Sequence, residues 1–453
     1  FTLTTTEANP VIQFSYVGYK TQEIAAKEQS VINLMMESDS QLVEEVVVTA
    51  LGIKRATKAL SYNVREIKSD ELTRVKDANL VNSLSGKVAG VTINASSSGV
   101  GGASKVVMRG TKGIDQSSNA LYVIDGVPMF NLSGEGGQEF DSKGSSEAIA
   151  DINPEDIESM SVLPGSAAAA LYGSHAANGA IVITTKKGKE GRLSLTVSQN
   201  TEFLRPFVTP NFQNSYGTGD LLSSAGSVEK SWGNKLNPSN YMGYDPINDF
   251  LRTGVVATET VSLSTGTEKN QTYFSASAVN SVGMVPNNDY DRYNFTFRNT
   301  TSFLNDKMTL DVSDSYFKQK DQNMVNQGTY SNPLVTAYLF PRGDDWNEIK
   351  MYERWDTSRN IYTQYWPQGI DTFTGQNPYW IAYRNLRENN KDRYMLSGSL
   401  SYKILYWLSV SGRVRVDNSA STYTEKLYAT SNTTLAEGSN NGLYGISNTN
   451  DKQ

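Results

Sequence analysis

Apolar and polar residues alternate with a period of two along most of the chain from Arg192 onward. Such alternation predicts β-strands whose two faces meet different surroundings. Seven segments have this pattern, and the positions between the apolar ones carry Ser, Thr, Asn, Lys, Arg or Gly. The apolar positions are, in chain order, Leu193, Leu195 and Val197; Val261 and Leu263; Tyr273 to Val279; Phe295, Phe297 and Phe303; Met308, Leu310 and Val312; Tyr394, Leu396, Leu400, Tyr402 and Ile404; and Leu408, Val410, Val414 and Val416.

The links between these segments alternate in length. The short or medium links are Thr265–Lys269, Pro286–Arg292, Asn305–Lys307 and a turn near Leu405, whereas the long ones run from the first segment to Phe250 and over 319–389. Long loops on one side and tight turns on the other are typical of an outer-membrane β-barrel. A β-sandwich or a propeller also mixes loop lengths, so both stay open on this pattern alone.

The number of predicted strands is too small to close such a barrel. A plugged transporter barrel has about 22 strands, whereas residues 191–453 supply seven segments. A long open sheet edge invites aggregation. We therefore expect this chain to be part of a longer polypeptide and to hold only the first part of the barrel.

Residues 55–190 have a mixed α/β pattern and many glycines. One helix is predicted from Ser69 through Leu84, with Asp77 or Asn79 as a cap, and another over Ser166–Tyr172, ended by the glycine that follows. Short strands are predicted at 88–93, 106–109, 121–124, 157–163 and 181–185. Together these elements predict a compact α/β domain.

The start of the chain contains short strand patterns and one extended segment. Residues 1–40 alternate like the end of a small β-sandwich. Within residues 41–54, Glu44 and Glu45 lead into Val46–Val48 and Thr49. β-branched residues in a row favour an extended backbone. This segment is suited to pairing with the open sheet edge of another protein, although an ordinary edge strand has the same pattern.

Composition narrows the classes of function. The 453-residue chain has a net charge of −6, which gives no reason to expect nucleic-acid binding. It has no cysteine, which excludes disulfides and thiolate metal sites, and its single histidine, His175, leaves no material for a His-based metal site or a Ser-His-Asp triad. The mean hydropathy of −0.44 suits a soluble protein. A membrane barrel reaches a similar average because its polar face offsets its apolar face.

Several motifs, in their order and spacing, resemble the SusC/RagA family of TonB-linked outer-membrane transporters. These motifs are LVEEVVVTALG, LVNSLSGKVAGVTI, VVMRGTKGI, ALYVIDGVPM, DINPEDIESMSVLPGSAAAALYGSHAANGAIVITTKKGK, NPLVTAYLFPRG and QNPYW. The segment FSYVGYKTQEI resembles the end of the carboxypeptidase-regulatory-like domain that precedes them in that family. The resemblance covers nearly the whole chain.

The resemblance implies a mainly β fold, in which an α/β N-terminal plug domain lies in the lumen of a transmembrane antiparallel β-barrel. It divides the chain into the end of a β-sandwich carboxypeptidase-regulatory-like domain (1–40), the TonB box and linker (41–54), the plug (55–190), and the first strands and extracellular loops of the barrel (191–453). It implies the outer membrane of Bacteroidetes-type bacteria, with the plug and N-terminus towards the periplasm. The implied function is TonB-dependent import of oligosaccharides or oligopeptides.

The resemblance also implies partners and contact residues. The partners are TonB with its inner-membrane energising complex, a SusD-like surface lipoprotein, the transported oligomer and outer-membrane lipid, assembled as a dimer of transporter–lipoprotein pairs. The residues that match the TonB box, which pairs with TonB through its backbone, are Glu44, Glu45, Val46, Val47, Val48 and Thr49. Arg109 matches a plug arginine expected to bind carboxylates on the barrel wall, and a solvated loop arginine is the alternative. Asp125-Gly126 is expected to form a plug turn.

The long link 319–389 is rich in aromatic residues. Flat rings stack on sugar faces and also bury peptide side chains, so direct contact with substrate is one interpretation of this link. The alternatives are a loop with its own small core and packing against the lipoprotein. The candidate residues are Tyr330, Phe340, Trp346, Trp355, Trp366, Tyr379 and Trp380.

Other chemistries find less support in the sequence. The glycines near residues 86 and 99–102 lack the spacing of a phosphate loop. Asp344, Asp345 and Glu348 are candidate Ca²⁺ ligands in a loop but match no EF-hand order. Two other functions stay open, a surface glycan-binding protein without transport and a β-rich carbohydrate-active enzyme. Because no acid and nucleophile stand out, we expect no enzymatic activity, no metal site and no cofactor.

Overall fold

A computed structural model describes most of the chain. The described residues are 11–14, 22–25, 34–35, 46–48, 54–56, 64–74, 77–96, 98–110, 119–129, 148–217, 219–220, 231–239, 245–326, 328, 330–367 and 375–453. Two short antiparallel pairs come first in the chain. They are β1 (Val11–Phe14) with β2 (Gln22–Ala25), and β3 (Val46–Val48) with β4 (Lys54–Ala56).

A five-stranded sheet and a two-stranded ribbon form the next unit, which we call the plug. Its strands are β5 (Arg65–Lys68), β6 (Val91–Asn94), β7 (Lys105–Met108), β8 (Leu121–Ile124), β9 (Val127–Met129), β10 (Ile157–Leu163) and β11 (Ala180–Thr185). The sheet order is β5-β10-β11-β8-β9, with β11 and β8 parallel and the other neighbours antiparallel, while β6 and β7 pair separately. The strands predicted between residues 88 and 185 are therefore confirmed.

The helices of the plug are short. Helix α1 (Ser69–Thr73) ends early, and a separate 3₁₀ helix spans Leu80–Leu84, so the single long helix predicted there is wrong. The Asn79 side chain caps the 3₁₀ helix by accepting a hydrogen bond from the Val81 backbone. Helix α2 (Gly165–Tyr172) contains four alanines and ends at Gly173, whose φ of 78° suits glycine.

Apolar side chains cover both faces of the plug sheet. The larger core includes Ile67, Leu80, Met160 and Ile183, and a smaller core places Val123 and Val182 against Ala168 of α2. All of these side chains are buried. Burying one large aliphatic side chain stabilises a fold by about 1.5–3 kcal/mol, so the plug has a core of its own.

The rest of the chain builds an eight-stranded antiparallel sheet, which we call the wall. Its strands, in order of pairing, are β12 (Gly191–Leu204), β15 (Gly254–Gly266), β16 (Asn270–Val282), β17 (Asp289–Phe303), β18 (Met308–Gln322), β21 (Asn385–Leu405), β22 (Leu408–Leu427) and β23 (Leu443–Lys452). The links hold the pairs β13 (Gly219–Asp220) with β14 (Ser231–Trp232) and β19 (Glu353–Asp356) with β20 (Ile361–Gln364), and helices α3 (Pro246–Asp249), α4 (Pro333–Leu339), α5 (Trp346–Lys350) and α6 (Pro378–Arg384).

The wall has one strand more than the alternation predicts. Strand β23 reads LYGISNTNDK and carries apolar side chains only in its first half, so it has little period-two signal. Its pairing with β22 runs from Leu443 opposite Leu427 to Lys452 opposite Asn418. Pairing with β22 therefore reveals β23 as a strand, whereas the sequence of β23 alone does not predict one.

The two faces of the wall differ as the alternation predicts. Outward-facing side chains such as Val197, Phe295 and Val414 are apolar, and they are 67%, 48% and 71% exposed. Inward-facing neighbours are polar, and many of them are buried against the plug. Short turns connect the strands at one rim (267–269, 304–307 and 406–407), while the links 205–253, 283–288, 323–384 and 428–442 lie at the other rim.

Among the described residues, no helix combines the length and the apolar character that crossing a membrane would require.

Candidate functional site

The plug packs against the inner face of the wall mainly through polar and charged side chains. Asp151 of the plug is 1% exposed and lies in a 3₁₀ turn (Ala148–Asp151). Its carboxylate accepts hydrogen bonds from Lys391 Nζ at 2.7 and 2.9 Å and from Arg393 Nη1 at 2.7 Å. Arg393 also binds both carboxylate oxygens of Asp417, at 2.7 and 2.8 Å. One buried wall arginine thus joins a plug carboxylate to a wall carboxylate.

The charge state of Asp151 follows from these partners. Burial by itself would raise the pKa of its carboxyl group, but Lys391 and Arg393 more than offset this and hold the pKa below its ordinary value. Asp151 is therefore ionised and forms charge-assisted hydrogen bonds. Removing one member of a buried ion pair costs about 3–5 kcal/mol, because the other charge stays buried without compensation. We call Asp151, Lys391, Arg393 and Asp417 the upper clamp.

A second ionic contact lies nearer the rim with the short turns. Asp125 follows β8 in a tight turn, where it has φ 48° and Gly126 has φ 85°, as expected for Asp-Gly between hairpin strands. Its carboxylate accepts a hydrogen bond from Arg298 at 3.1 Å. Arg298 also binds Asp311 in a bidentate pair at 2.8 and 2.9 Å, and Lys187 approaches the same Asp311 at 2.6 Å. We call Asp125, Arg298, Asp311 and Lys187 the lower clamp.

Hydroxyl groups of the wall bind two further plug carboxylates. Asp156 is buried and accepts hydrogen bonds from Tyr273 Oη at 3.0 Å and Thr296 Oγ1 at 2.9 Å. Burial raises its pKa, although hydrogen bonds from Ser275, Thr296 and Tyr273 partly oppose this. Ser198 Oγ donates a hydrogen bond of 2.6 Å to Glu155. In these contacts hydroxyl groups of the wall are the donors, whereas in the two clamps the wall donors are guanidinium and ammonium groups.

Backbone groups of the plug also contact the wall closely. Arg292 donates hydrogen bonds to the carbonyls of Ala78, at 2.7 Å, and Ala150. Gly101 has φ 77°, and a Cβ at this position would overlap the Tyr290 ring. Two features therefore require glycine at this position, namely the positive φ of the backbone and the close approach of the Tyr290 ring.

The structure reverses the expected direction of the ionic contact. Arg109 was expected to bind carboxylates of the wall, whereas in the two clamps Asp125 and Asp151 of the plug bind guanidinium groups of the wall. Arg109 itself is exposed, with φ 58° and its backbone N–H bonded to Gly90 O, and no carboxylate of the described residues pairs with it. A contact of Arg109 with further parts of a barrel stays a prediction.

Residues of the predicted TonB box are described only in part. Val46–Val48 form a strand, as predicted, and pair with Lys54–Ala56 of the same chain. Glu44, Glu45 and Thr49 lie outside the described residues. The pairing occupies one edge of the Val46–Val48 strand, and a strand has two edges for pairing.

Most of the predicted aromatic contact residues belong to a folded loop. Phe340, Trp346 and Trp380 are buried, so they form part of the loop's own core. Their contact with substrate or lipoprotein stays a prediction. Phe340 and Trp346 pack edge-to-face at 5.1 Å in a core with Phe250, Trp366 and Tyr379, of which the last two are partly buried. Aromatic rings supply this loop with enough apolar surface to form its own core.

The remaining aromatic candidates are more accessible. Tyr330 is partly buried, and Trp355 on β19 is 50% exposed. The Trp355 ring packs edge-to-face against Tyr362 of β20 at 5.1 Å. Of the predicted set, Trp355 therefore presents the largest ring surface to solvent.

The acidic residues of this loop have structural partners. Asp345 caps helix α5 by accepting from the Asn347 backbone at 2.9 Å, and Glu348 lies 3.6 Å from Arg354. Within the described ranges, no group of three acidic or histidine side chains is arranged to hold a metal ion. The loop therefore offers no Ca²⁺ site among these residues.

Comparisons with known proteins agree with this architecture. Residues 56–180 match the family model described as the TonB-dependent receptor plug domain. The chain is also 30% identical over 317 residues to the TonB-dependent receptor SusC of Bacteroides thetaiotaomicron, a match that covers 69% of this chain and 30% of SusC. This chain belongs to the TonB-dependent receptors.

Further matches support this assignment of the receptor. TonB-dependent receptor P39 of Formosa agariphila is 30% identical, over 64% of this chain and 27% of P39. The receptor chain also resembles the solved structure of the RagAB peptide importer in its open-open state, with a TM-score of 0.61 and 20% identity, over 85% of this chain and 43% of that one. The chain thus spans less than a third of the curated relatives that it matches.

The family assignment confirms several expectations. The eight-stranded sheet is part of a TonB-dependent barrel, and the α/β unit inside it is the plug. The receptor is an outer-membrane protein, and its family consists of transporters rather than enzymes. Sequence reasoning found the plug motifs and the Asp125-Gly126 turn, but it missed the ion pair of Asp125 and the contacts of Asp151, Arg298 and Arg393. Their only signal is that they are charged residues at inward positions of an alternating strand or near a plug turn.

Proposed function

We propose that the full-length receptor imports oligosaccharides or oligopeptides across the outer membrane, using force transmitted by TonB. The observation that carries this proposal is the plug held against the inner wall by the two clamps. A barrel stopped by buried ion pairs passes nothing of oligomer size until those contacts break. Energy from outside the protein is therefore needed, and buried charge pairs give the closed state a substantial barrier.

The N-terminal segment offers a strand to which TonB can bind and apply that force. Strand Val46–Val48 precedes the plug by a short linker and contains no proline. Pairing between backbones of two proteins tolerates changes of side chain but requires free N–H and C=O groups. TonB, with its inner-membrane energising complex, pulls on residues 44–49 from the periplasmic side in this proposal, and the plug and N-terminus face the periplasm.

The outer loops are the proposed contact region for substrate and for a surface lipoprotein. Trp355 and Tyr362 form an exposed aromatic pair on the loop 323–384, suited to sugar rings or apolar peptide side chains. One structural neighbour is described as a peptide importer, which adds oligopeptides to oligosaccharides as candidate substrates. A SusD-like lipoprotein completes the import unit in this proposal, and two such units form a dimer.

Substitution of Val46, Val47 and Val48 by proline tests the proposal. Prolines remove backbone N–H donors and cannot join a strand ladder, so uptake should be lost while surface binding and expression stay unchanged. Substitution of the same three residues by alanine is the matched control, because alanine keeps the backbone donors. Uptake of a fluorescein-labelled glucose oligomer and of labelled tryptic peptides is measured in cells. Equal uptake by the wild type and the proline variant would contradict TonB-dependent transport.

A further inference from the structure

We infer that one buried water molecule bridges Ser331 and Asn385 and thereby joins the two ends of the outer link 323–384. The inference concerns the structure of this link and does not depend on the proposed import. A small cavity of about 20 Å³ lies where the link leaves β18 and returns to β21, and both residues line it. This volume suits a single water molecule, which needs about 10–15 Å³ of space for its centre.

Two buried polar atoms at this cavity lack a hydrogen-bond partner. They are Ser331 Oγ and Asn385 Nδ2, and no atom of the described residues bonds to either. Both residues are 3% exposed. Buried polar groups of folded proteins are almost always hydrogen-bonded, either to the protein or to ordered water. A water molecule between the two atoms gives each of them a partner.

The orientation of the Asn385 amide follows from its other contacts. Trp380 Nε1 can only donate, and it donates to Ser431 Oγ at 3.0 Å. The Ser431 hydroxyl still has its own proton to donate, and it donates this proton to Asn385 Oδ1 at 2.8 Å. Because Oδ1 accepts this bond, the NH₂ side of the amide is the side that stays available for a ligand in the cavity.

The apolar part of the lining separates the cavity from bulk solvent. It includes Val285, Pro286, Val325, Pro333 and Ile381. Val285 and Val325 also belong to the aromatic core of the outer link. The two polar atoms are therefore not reached by solvent at the surface, and a molecule held inside the cavity has to satisfy them.

The charges around the cavity favour a neutral ligand. Among the described residues that line it, only Arg387 is charged, and its guanidinium pairs with Glu425 at 3.1 Å and donates to Asn326. Asn323, a further polar residue of the lining, donates to the Ala382 carbonyl at 3.0 Å and accepts from the Arg387 backbone at 2.8 Å. An ion without a countercharge is costly to bury. Water, which both donates and accepts, fits the two remaining polar atoms.

The bridge holds the outer link at its base. Through the water, Ser331 joins the hydrogen-bond chain that ends at Asn385. That chain includes Ser431 of the neighbouring link 428–442, so the water ties two outer links together. Ser331 has a φ of 50°, which is uncommon for a residue other than glycine, so its surroundings rather than its local preference hold it in place.

Ser331→Ala tests the bridge in the full-length receptor through the sign of its effect. With the water present, the change removes one partner of the bridge, and the backbone amides of the outer link should exchange their hydrogens about fivefold faster. Without the water, the change removes a buried hydroxyl that has no partner, and exchange should stay equal or become slower. Mass spectrometry of the exchanged receptor measures the difference, and equal or slower exchange overturns the inference.

The matched control for this experiment is Ser358→Ala. Ser358 lies on the same link, is exposed and donates its hydroxyl to Asp356 of its own turn. Its loss should leave exchange at the base of the link unchanged.

Crystals of the full-length receptor soaked in sodium bromide identify the occupant. The expected result is one peak of electron density within hydrogen-bonding distance of Ser331 Oγ and Asn385 Nδ2, without anomalous signal from bromide. A bromide peak at this position would show an anion site, and the absence of density would show that nothing bridges the two atoms. Either result overturns the inference and leaves TonB-dependent uptake, which the proline substitutions test, untouched.

Discussion

The two halves of the inner wall contact the plug through different kinds of side chain. The inward positions of strands β12, β15 and β16 carry many serines and threonines together with Arg192 and Tyr273, whereas those of β17 and β21 carry Arg292, Arg298, Lys391 and Arg393. Both halves follow the same alternation of apolar and polar positions. The type of polar residue at each inward position therefore determines whether the wall binds the plug through ion pairs or through hydroxyl hydrogen bonds.

The physical reason is the difference between neutral and charged hydrogen bonds. A buried guanidinium that binds two carboxylates must keep both partners, because a lone buried charge is expensive. A hydroxyl that loses its partner is compensated by water far more easily. The basic half thus binds the plug through ion pairs, and the hydroxyl half through weaker neutral donors.

The largest expected effect is that of Arg393→Ala. This change leaves Asp151 and Asp417 buried without their shared cation, and we expect docking of the plug to weaken by about 3–5 kcal/mol. Trypsin digestion of the folded receptor in detergent should then cut the plug at lower temperature. The control is Arg413→Ala, because the exposed Arg413 side chain also donates to the plug, at the Asp125 carbonyl, but pairs with no carboxylate of the described residues, so its loss leaves no buried charge uncompensated. If trypsin cut the plug of both variants at the same temperature, the upper clamp would not account for firm docking in the basic half.

A smaller effect is expected at the boundary of the two halves, where Gly101 meets Tyr290 of β17. Gly101→Ala adds a methyl group that overlaps the Tyr290 ring, and overpacking of this kind costs about 1–3 kcal/mol. Gly110→Ala provides the control, because Gly110 also has a positive φ, 86°, but a Cβ there meets nothing within 4 Å. Thermal unfolding that is equally lowered by both changes would show that strain alone is responsible.

The pH dependence of docking separates the clamp from the hydroxyl contacts. The pKa of Asp156 is raised, so its stabilising effect is full below the ordinary carboxyl pKa and is lost as pH rises through the raised value. The pKa of Asp151 is lowered, so its effect is present above the ordinary pKa and is lost as pH falls through the lowered value.

Asp156→Asn tests this assignment directly. Asparagine is neutral at every pH, its Oδ1 accepts the hydrogen bond from Tyr273, and its Nδ2 can donate to the Thr296 hydroxyl once that hydroxyl rotates. The variant should therefore dock more tightly than wild type at neutral pH and about equally at acid pH. Thermal release of the plug is measured between about pH 4 and pH 8, which brackets the ordinary carboxyl range. A constant difference between variant and wild type across this range would argue against Asp156 as the titrating group.

The smallest effect is expected in the hydroxyl half. Ser198→Ala removes one hydrogen bond to Glu155, and we expect docking to weaken by only about 0.5–1.5 kcal/mol. Thermal release of the plug, measured for this variant beside Arg393→Ala, should therefore be only slightly easier than in the wild type. A loss as large as that of Arg393→Ala would erase the distinction between the two halves.

Much of the fold follows from local patterns in the sequence. Alternation at Leu193–Val197 and Phe295–Phe303 predicts wall strands and their outward faces, and alanines followed by a glycine predict helix α2. Strand β23 and the break between α1 and Leu80–Leu84 escape local prediction, because pairing with β22 and packing against the plug core decide them.

The contacts between plug and wall join residues that are far apart in the sequence. Arg298 lies 173 residues from Asp125, and Arg393 lies 242 residues from Asp151. Nothing in either neighbourhood distinguishes these side chains from solvated charges. Likewise, the burial of Trp346 and Trp380 depends on how the loop folds and not on their local sequence.

By itself, the sequence determined most of the wall strands, their outward apolar faces and most of the turns, because these properties depend on near neighbours. The tertiary structure alone decided which inward charges and which inward hydroxyls bind a plug carboxylate. Pairing of charges across the interface depends on strand register and on the placement of the plug, and both arise only when segments far apart in the chain pack together.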